Sequence, residues 1–151
     1  MVELKFTEII GATPEKVHQV MLDRETYREW TQVFSPSSDI VGDWSEGSKM
    51  HFTSVNEANN IEGMVSIVEK NILGETVVLR HIGILQDQVE ILGGPLVDSW
   101  KNATETYRFD KIGEQLTQLT CTVQVGEGES TKAFSDMWNR ALKELKQLCE
   151  Q

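Results

Sequence analysis

The stretch VELKFTEII sets Leu4, Phe6, Glu8 and Ile10 on one face and Glu3, Lys5 and Thr7 on the other, the two-residue period of a β-strand. Glu8 is the polar misfit on the apolar face. The period then changes to that of a helix. In GATPEKVHQVML, Val17, Val20 and Met21 recur at helical spacing, Thr13 stands where a cap belongs and Pro14 takes the first helical position. A second short helix is predicted through RETYREW, capped by Asp23 and carrying Tyr27 and Trp30 three apart on one face, before FSPSSD breaks the pattern.

From there to Val125 the chain reads as strands: around Ile40, then KMHFTSVN, IEGMVSIVEK, ETVVLRHIGIL, ATETYRFDKI and EQLTQLTCTVQV, with turns at NEANN, NILG and DKIG. One segment does not fit this rhythm. QDQVEILGGPLVDSWKN, with Gly93, Gly94 and Pro95 between two apolar patches, reads as an ordered excursion between strands that carries one short helical turn. The final stretch, Ser130 to Gln151, is the one long helix. Its apolar positions, Ala133, Phe134, Met137, Trp138, Ala141, Leu142, Leu145, Leu148 and Cys149, fall within roughly half of the helix circumference. That is a wider face than a helix resting on a single neighbour needs. The preceding GEGES, Gly126 to Ser130, reads as a turn plus helix cap. As a phosphate loop it lacks a lysine and the full glycine spacing, and Glu127 and Glu129 would repel the anion.

This order of elements predicts an α+β fold, a bent antiparallel sheet wrapped around a long C-terminal helix with two short helices after the first strand. No repeat, low-complexity tract or linker interrupts it, so residues 1–151 are expected to form one domain. Charge removes several function classes. With 24 acidic against 14 basic residues the net charge is -10, and such a surface repels nucleic-acid backbones and anionic lipid heads. No apolar run is long enough to span a bilayer and no signal-peptide pattern opens the chain, so membrane insertion is not expected and a cytoplasmic location is. The two cysteines, Cys121 and Cys149, have neither metal spacing nor disulfide density and are expected to be reduced, Cys121 buried.

Candidate chemistry is sparse. His18 lies on the first helix, His51 and His81 on strands, and none has a ligand at i+3 or i+4, so neither a metal nor a cofactor is expected. Strand alternation groups His81 with Val77, Leu79 and Gly83 on the face turned to the helix. There it is either a core histidine satisfied by one hydrogen bond or a polar fixture in a cavity. Glu8 and Glu105 raise the same alternatives, each alternating with apolar neighbours; a buried carboxylate must be paired or protonated. No Ser-His-Asp or Cys-His arrangement is legible, so no catalytic residue is assigned and the reading leans away from an enzyme. An aromatic and thioether set remains: Trp30, Met50, Phe52, Trp100, Tyr107, Phe134, Met137 and Trp138. These residues are core, or they wall a hollow that apolar ligands of irregular shape would fill.

Short motifs in this order resemble the helix-grip SRPBCC superfamily, which includes START domains and birch-pollen-allergen-type proteins. Within it the chain is most similar to the C-terminal-type domain of the activator of heat-shock-protein-90 ATPase homologue family. The resemblance rests on TPEKV in the first helix, TYREW closing the second at Trp30, and Gly47-Ser48-Lys49-Met50 opening a strand. Gly63-Met64-Val65 followed by VVLRHIG, and a last helix with Trp138 and Leu145-Lys146, complete it over essentially the whole chain. It implies a protein that binds a small hydrophobic molecule, lipid or aromatic, in an apolar pocket between sheet and final helix. The expected lining is Trp30, Met50, Phe52, Leu79, His81, Trp100, Glu105, Tyr107, Phe134, Met137 and Trp138. Two alternatives stand beside it: a chaperone-associated protein-binding module, and a cyclase- or hydrolase-like enzyme using Glu8, Glu105 or His81 as acid-base groups.

Overall fold

The computed structural model describes residues 1–126, 128 and 130–151. Its elements run β1 (Val2–Ile10), α1 (Pro14–Leu22), α2 (Arg24–Trp30), β2 (Asp39–Val41), β3 (Lys49–Val55), β4 (Ile61–Ile72), β5 (Thr76–Gln86), β6 (Val89–Ile91), β7 (Thr104–Gly113), β8 (Leu116–Val125) and α3 (Lys132–Cys149). The eight strands form one open antiparallel sheet in the order β1-β8-β7-β5-β4-β3-β2, with β6 joined to β5. Among the described residues three helices lie on it, so the α+β layout expected from the hydrophobic periods is the one found.

Register explains which side chains share the inner face, because cross-strand partners point the same way. Phe6 pairs with Cys121 and Cys121 with Tyr107, which in turn faces Val77. One row along, Leu4, Val123, Glu105 and Leu79 are matched in the same manner, and Leu79 meets Val68. The register of β4 against β5 slips between Val65 and Ser66 and again between Val68 and Lys70. Such irregularities bend strands and strengthen their twist, which is how a sheet of this length curls.

Helix ends follow the sequence with one exception. Thr13 accepts a hydrogen bond from the Lys16 amide and Thr131 from the Phe134 amide, capping α1 and α3 through their side chains. The Asp23 side chain, expected to cap α2, makes no such bond. Asp23 also ends α1, its amide donating to the Gln19 carbonyl, and this double duty fixes the backbone between the two helices. The buried positions of α3 are Trp138, Ala141, Leu142, Leu145 and Cys149, while Ala133 in the first turn is exposed. The covered face is therefore narrower at its start than the apolar spacing suggests. Gly126, Gly128 and Ser130 precede the helix; Glu127 and Glu129 of the predicted turn lie outside the described residues.

Two strands run further than the turn-like segments implied. β4 continues to Ile72 before turning at Leu73–Glu75, and β7 continues through the DKIG segment to Gly113, where a register slip past Ile112 lets Gly113 pair with Leu116. The excursion between β5 and β7 holds a short strand that period alone did not signal. β6 pairs with the last residues of β5, and Gly83 makes this possible: a Cβ there would stand 2.4 Å from the Ile91 carbonyl oxygen. The excursion then folds into helical turns, with the amides of Asp98 and Lys101 donating to the carbonyls of Gly94 and Val97. It returns beside β5, where the His81 amide donates to the Ala103 carbonyl and the Asn102 amide to that of His81.

Candidate functional site

Between α2, the start of α3 and the inner face of the sheet lies a cavity of about 1060 Å³. Its apolar wall is aromatic. Tyr27 meets Trp30 edge-on at 5.4 Å between ring centroids and Phe52 at 6.1 Å, and Trp138 meets Phe34 at 5.3 Å and Trp30 at 6.5 Å. These rings are held in place from behind. The Trp30 indole donates to the Met21 carbonyl at 3.0 Å, and Trp138 stacks on Phe6 of β1 at 5.6 Å. A large ring whose polar edge is already bonded presents a fixed apolar surface. Another wall comes from the excursion, through Leu96, Ser99 and Trp100, whose indole donates to the Leu96 carbonyl at 2.7 Å.

Polar groups enter from β5 and β7. His81 is buried, its Nδ1 2.6 Å from the Ser66 hydroxyl and its Nε2 3.4 Å from Glu105 Oε1. The Tyr107 hydroxyl donates to the other carboxylate oxygen, Glu105 Oε2. A connected series Ser66, His81, Glu105 and Tyr107 results, built by the register that sets Ser66 against His81 and by the alternation that brings Glu105 and Tyr107 two residues apart onto one face. Burial, with the neighbouring Glu105 charge adding to it, pushes the Tyr107 hydroxyl well above the ordinary tyrosine range and raises that of Tyr27 as well. Both phenols stay protonated, and that of Tyr107 is the donor to Glu105. Ser66 is fully enclosed and is not among the residues lining the cavity, whereas His81, Glu105 and Tyr107 are.

Of the residues expected from sequence to line a pocket, Trp30, Phe52, His81, Trp100, Glu105, Tyr107, Phe134 and Trp138 face this cavity. Met50, Leu79 and Met137 do not. Met50 is fully enclosed, its sulfur lying under Gly42 and accepting from the Trp44 amide at 3.4 Å, and Leu79 is covered in the row between Val68 and Glu105. Met137 is half-buried one residue before Trp138, about 100° around the helix from it. Glu8 is not brought to His81 and Glu105; it lies 3.5 Å from Lys143 of α3 instead. Sequence reasoning missed Tyr27 and Phe34. The three-residue step from Tyr27 to Trp30 was the available signal for the first, whereas Phe34 follows the helix in a turn where no period applies.

Among the described residues no group of three or more His, Cys, Asp or Glu is placed to hold a metal ion, and no helix is long and apolar enough to cross a membrane. Cys121 and Cys149 are free and buried.

The model of the family described as activator of Hsp90 ATPase homolog 1-like protein matches residues 11–150. The chain belongs to that family. A search among curated proteins finds no match. Solved structures share the fold over nearly the full length. The Aha1 dimer from Colwellia psychrerythraea, a solution structure, superimposes with a TM-score of 0.69 at 22% identity, covering 99% of this chain and 97% of that one. A protein from Chromobacterium violaceum gives 0.69 at 14% identity with coverages of 99% and 97%. A protein from Rhodobacter sphaeroides gives 0.71 at 14% identity, covering 97% of this chain and 90% of its own. At these identities the shared property is the fold. The family and its structural neighbours place this member of the activator of Hsp90 ATPase homolog 1-like family within the helix-grip SRPBCC superfamily, whose fold commonly encloses hydrophobic ligands.

Proposed function

We propose that this protein binds a small hydrophobic molecule in the cavity between the sheet and the first turns of α3. The observation that carries the reading is the cavity itself: about 1060 Å³, with eight aromatic residues in its lining and the polar groups of His81, Glu105 and Tyr107 converging on it from β5 and β7. That volume is of the order of sites that enclose drug-sized ligands, and aromatic surface beside convergent polar groups is a usual composition for them. Apolar area drives such binding, at roughly 25 cal/mol per Å² removed from water, and the polar groups select among ligands. A thermal-shift screen against fatty acids, other lipids, flavonoids and polyketide-like aromatics tests this. A ligand of the native state raises the unfolding midpoint with dose, and a flat response to every class would remove the reading.

A second reading, attachment to a chaperone, has one supporting observation besides the family description. Leu92 and Leu96 are exposed on the excursion, with Leu96 more than half accessible, where an apolar contact with a partner would form. Purified Hsp90 that bound the wild type and a Leu92→Ser, Leu96→Ser variant equally, or bound neither, would dispose of it.

A further inference from the structure

The ionic partners in the fold are distributed unevenly. Several partly buried carboxylates meet a permanent cation: Asp39 meets Arg24 at 2.8 Å, Glu90 meets Lys49 at 3.0 Å and Glu8 meets Lys143 at 3.5 Å. Glu105 is different. Its side chain is only 16% exposed, yet its ionisable neighbour is His81 at 3.4 Å, whose ring is charged only if protonated. Among the described residues lining the cavity there is no lysine or arginine. The one other cationic group there is the α-amino group of Met1, a residue that is itself largely exposed. A carboxylate in such surroundings lacks the counter-charge that buried anions normally have.

From this arrangement we infer that the cavity selects a hydrophobic cation, an aromatic or aliphatic amine whose ammonium group meets Glu105 while its apolar body lies against Tyr27, Trp30, Phe52 and Trp138. The inference rests on the reading of the cavity as a ligand site and adds its charge preference. Three features of the site support it. First, a carboxylate offers about four acceptor positions, and the Tyr107 hydroxyl occupies one while His81 Nε2 stands 3.4 Å from the other oxygen, leaving capacity for an incoming N–H on either. Second, the faces of Trp and Tyr rings attract cations, and this wall contains two tryptophans and a tyrosine within reach of one another. Third, the negative potential of Glu105 is felt at Tyr27, Tyr107 and Cys121, all of which it helps to keep protonated. An anionic amphiphile such as a fatty acid would meet this charge with no lysine or arginine to offset it. The overall charge of -10 also draws cations towards the protein.

The test is a calorimetric titration with three probes that share one skeleton: 2-(1-naphthyl)ethylamine, 2-(1-naphthyl)ethanol and 1-naphthylacetate. The wild type is expected to bind the amine about tenfold or more tighter than the alcohol, with the carboxylate weakest. Glu105→Gln keeps the size of the side chain and removes its charge; it should hold the alcohol as before and lose the preference for the amine. Equal binding of amine and alcohol, a preference for the carboxylate, or an amine preference that survives Glu105→Gln would overturn the inference while leaving the cavity reading in place. Failure of all three probes to bind would overturn this inference, while the cavity reading would stand or fall on the wider thermal-shift screen. The order of the probes on the wild type needs no variant, so a Glu105→Gln protein that did not fold would leave that order as the deciding result.

Discussion

Truncating α3 at two positions should give very different costs, because the helix covers a hollow at one end and solid core at the other. Leu142 is fully enclosed among the residues that α3 presses onto the sheet and α1. Leu142→Ala removes three buried carbons and leaves a void that close-packed neighbours fill only in part, so a loss of about 3 kcal/mol is expected, near the low end of the range for such changes. Phe134, two turns earlier, is half-buried and faces the cavity. Phe134→Ala enlarges a space that already exists, so the cavity contribution is absent and only the transfer of a half-covered ring remains, roughly 1 kcal/mol. Urea unfolding followed by far-UV circular dichroism would measure both, with the slope against denaturant compared to confirm that the unfolding reaction is the same. In thermal terms the two variants should separate by about 4 °C or more for a chain of this size. Equal losses would mean that Phe134 packs as core and that the first turns of α3 do not roof an open space.

Two further outcomes follow from buried titratable groups. The Gly74 amide donates to His18 Nδ1 at 3.2 Å, so the ring proton sits on Nε2 and faces Asn71 Oδ1 at 2.8 Å, an arrangement that only the neutral ring satisfies. Burial lowers its pKa below the ordinary 6.5, opposed by the bond to Asn71, so its stabilising effect is full above about that pH and is lost as the pH falls and the unfolded chain takes up the proton first. Between about pH 7 and pH 5.5 the wild type should lose more stability than His18→Gln does; parallel pH profiles from chemical unfolding would contradict this. The cysteines supply the second outcome: burial pushes the Cys149 thiol up to about 12 and that of Cys121 well above its usual range, with the Glu105 charge adding to the latter. A disulfide reagent at about pH 8 should therefore modify both only in denaturant. Rapid labelling of either in the native protein would show that its surroundings open.

Periodicity alone carried the order of elements, since a two-residue or a 3.6-residue repeat is a local property that burial of one face imprints on the chain. It identified β1, both short helices, the long α3 and most of the sheet, and the motifs distributed along them pointed to the family that the comparison then showed. It also indicated that His81 and Glu105 lie on covered faces, because each alternates with apolar neighbours. What it did not contain was distance. Whether Glu8, His81 and Glu105 converge depends on strand order and register, and the sheet sends Glu8 to Lys143 while a β5–β7 pairing brings His81 beside Glu105. β6 was likewise illegible, since its pairing depends on the close approach that Gly83 permits rather than on any repeat of its own. The division of the aromatic and thioether residues between core and cavity wall was decided the same way. Met50 and Trp30 are equally apolar in sequence, but only the packing of three helices on a curled sheet determines which of them faces an unfilled volume, and volume is a sum over neighbours that no single stretch of chain records.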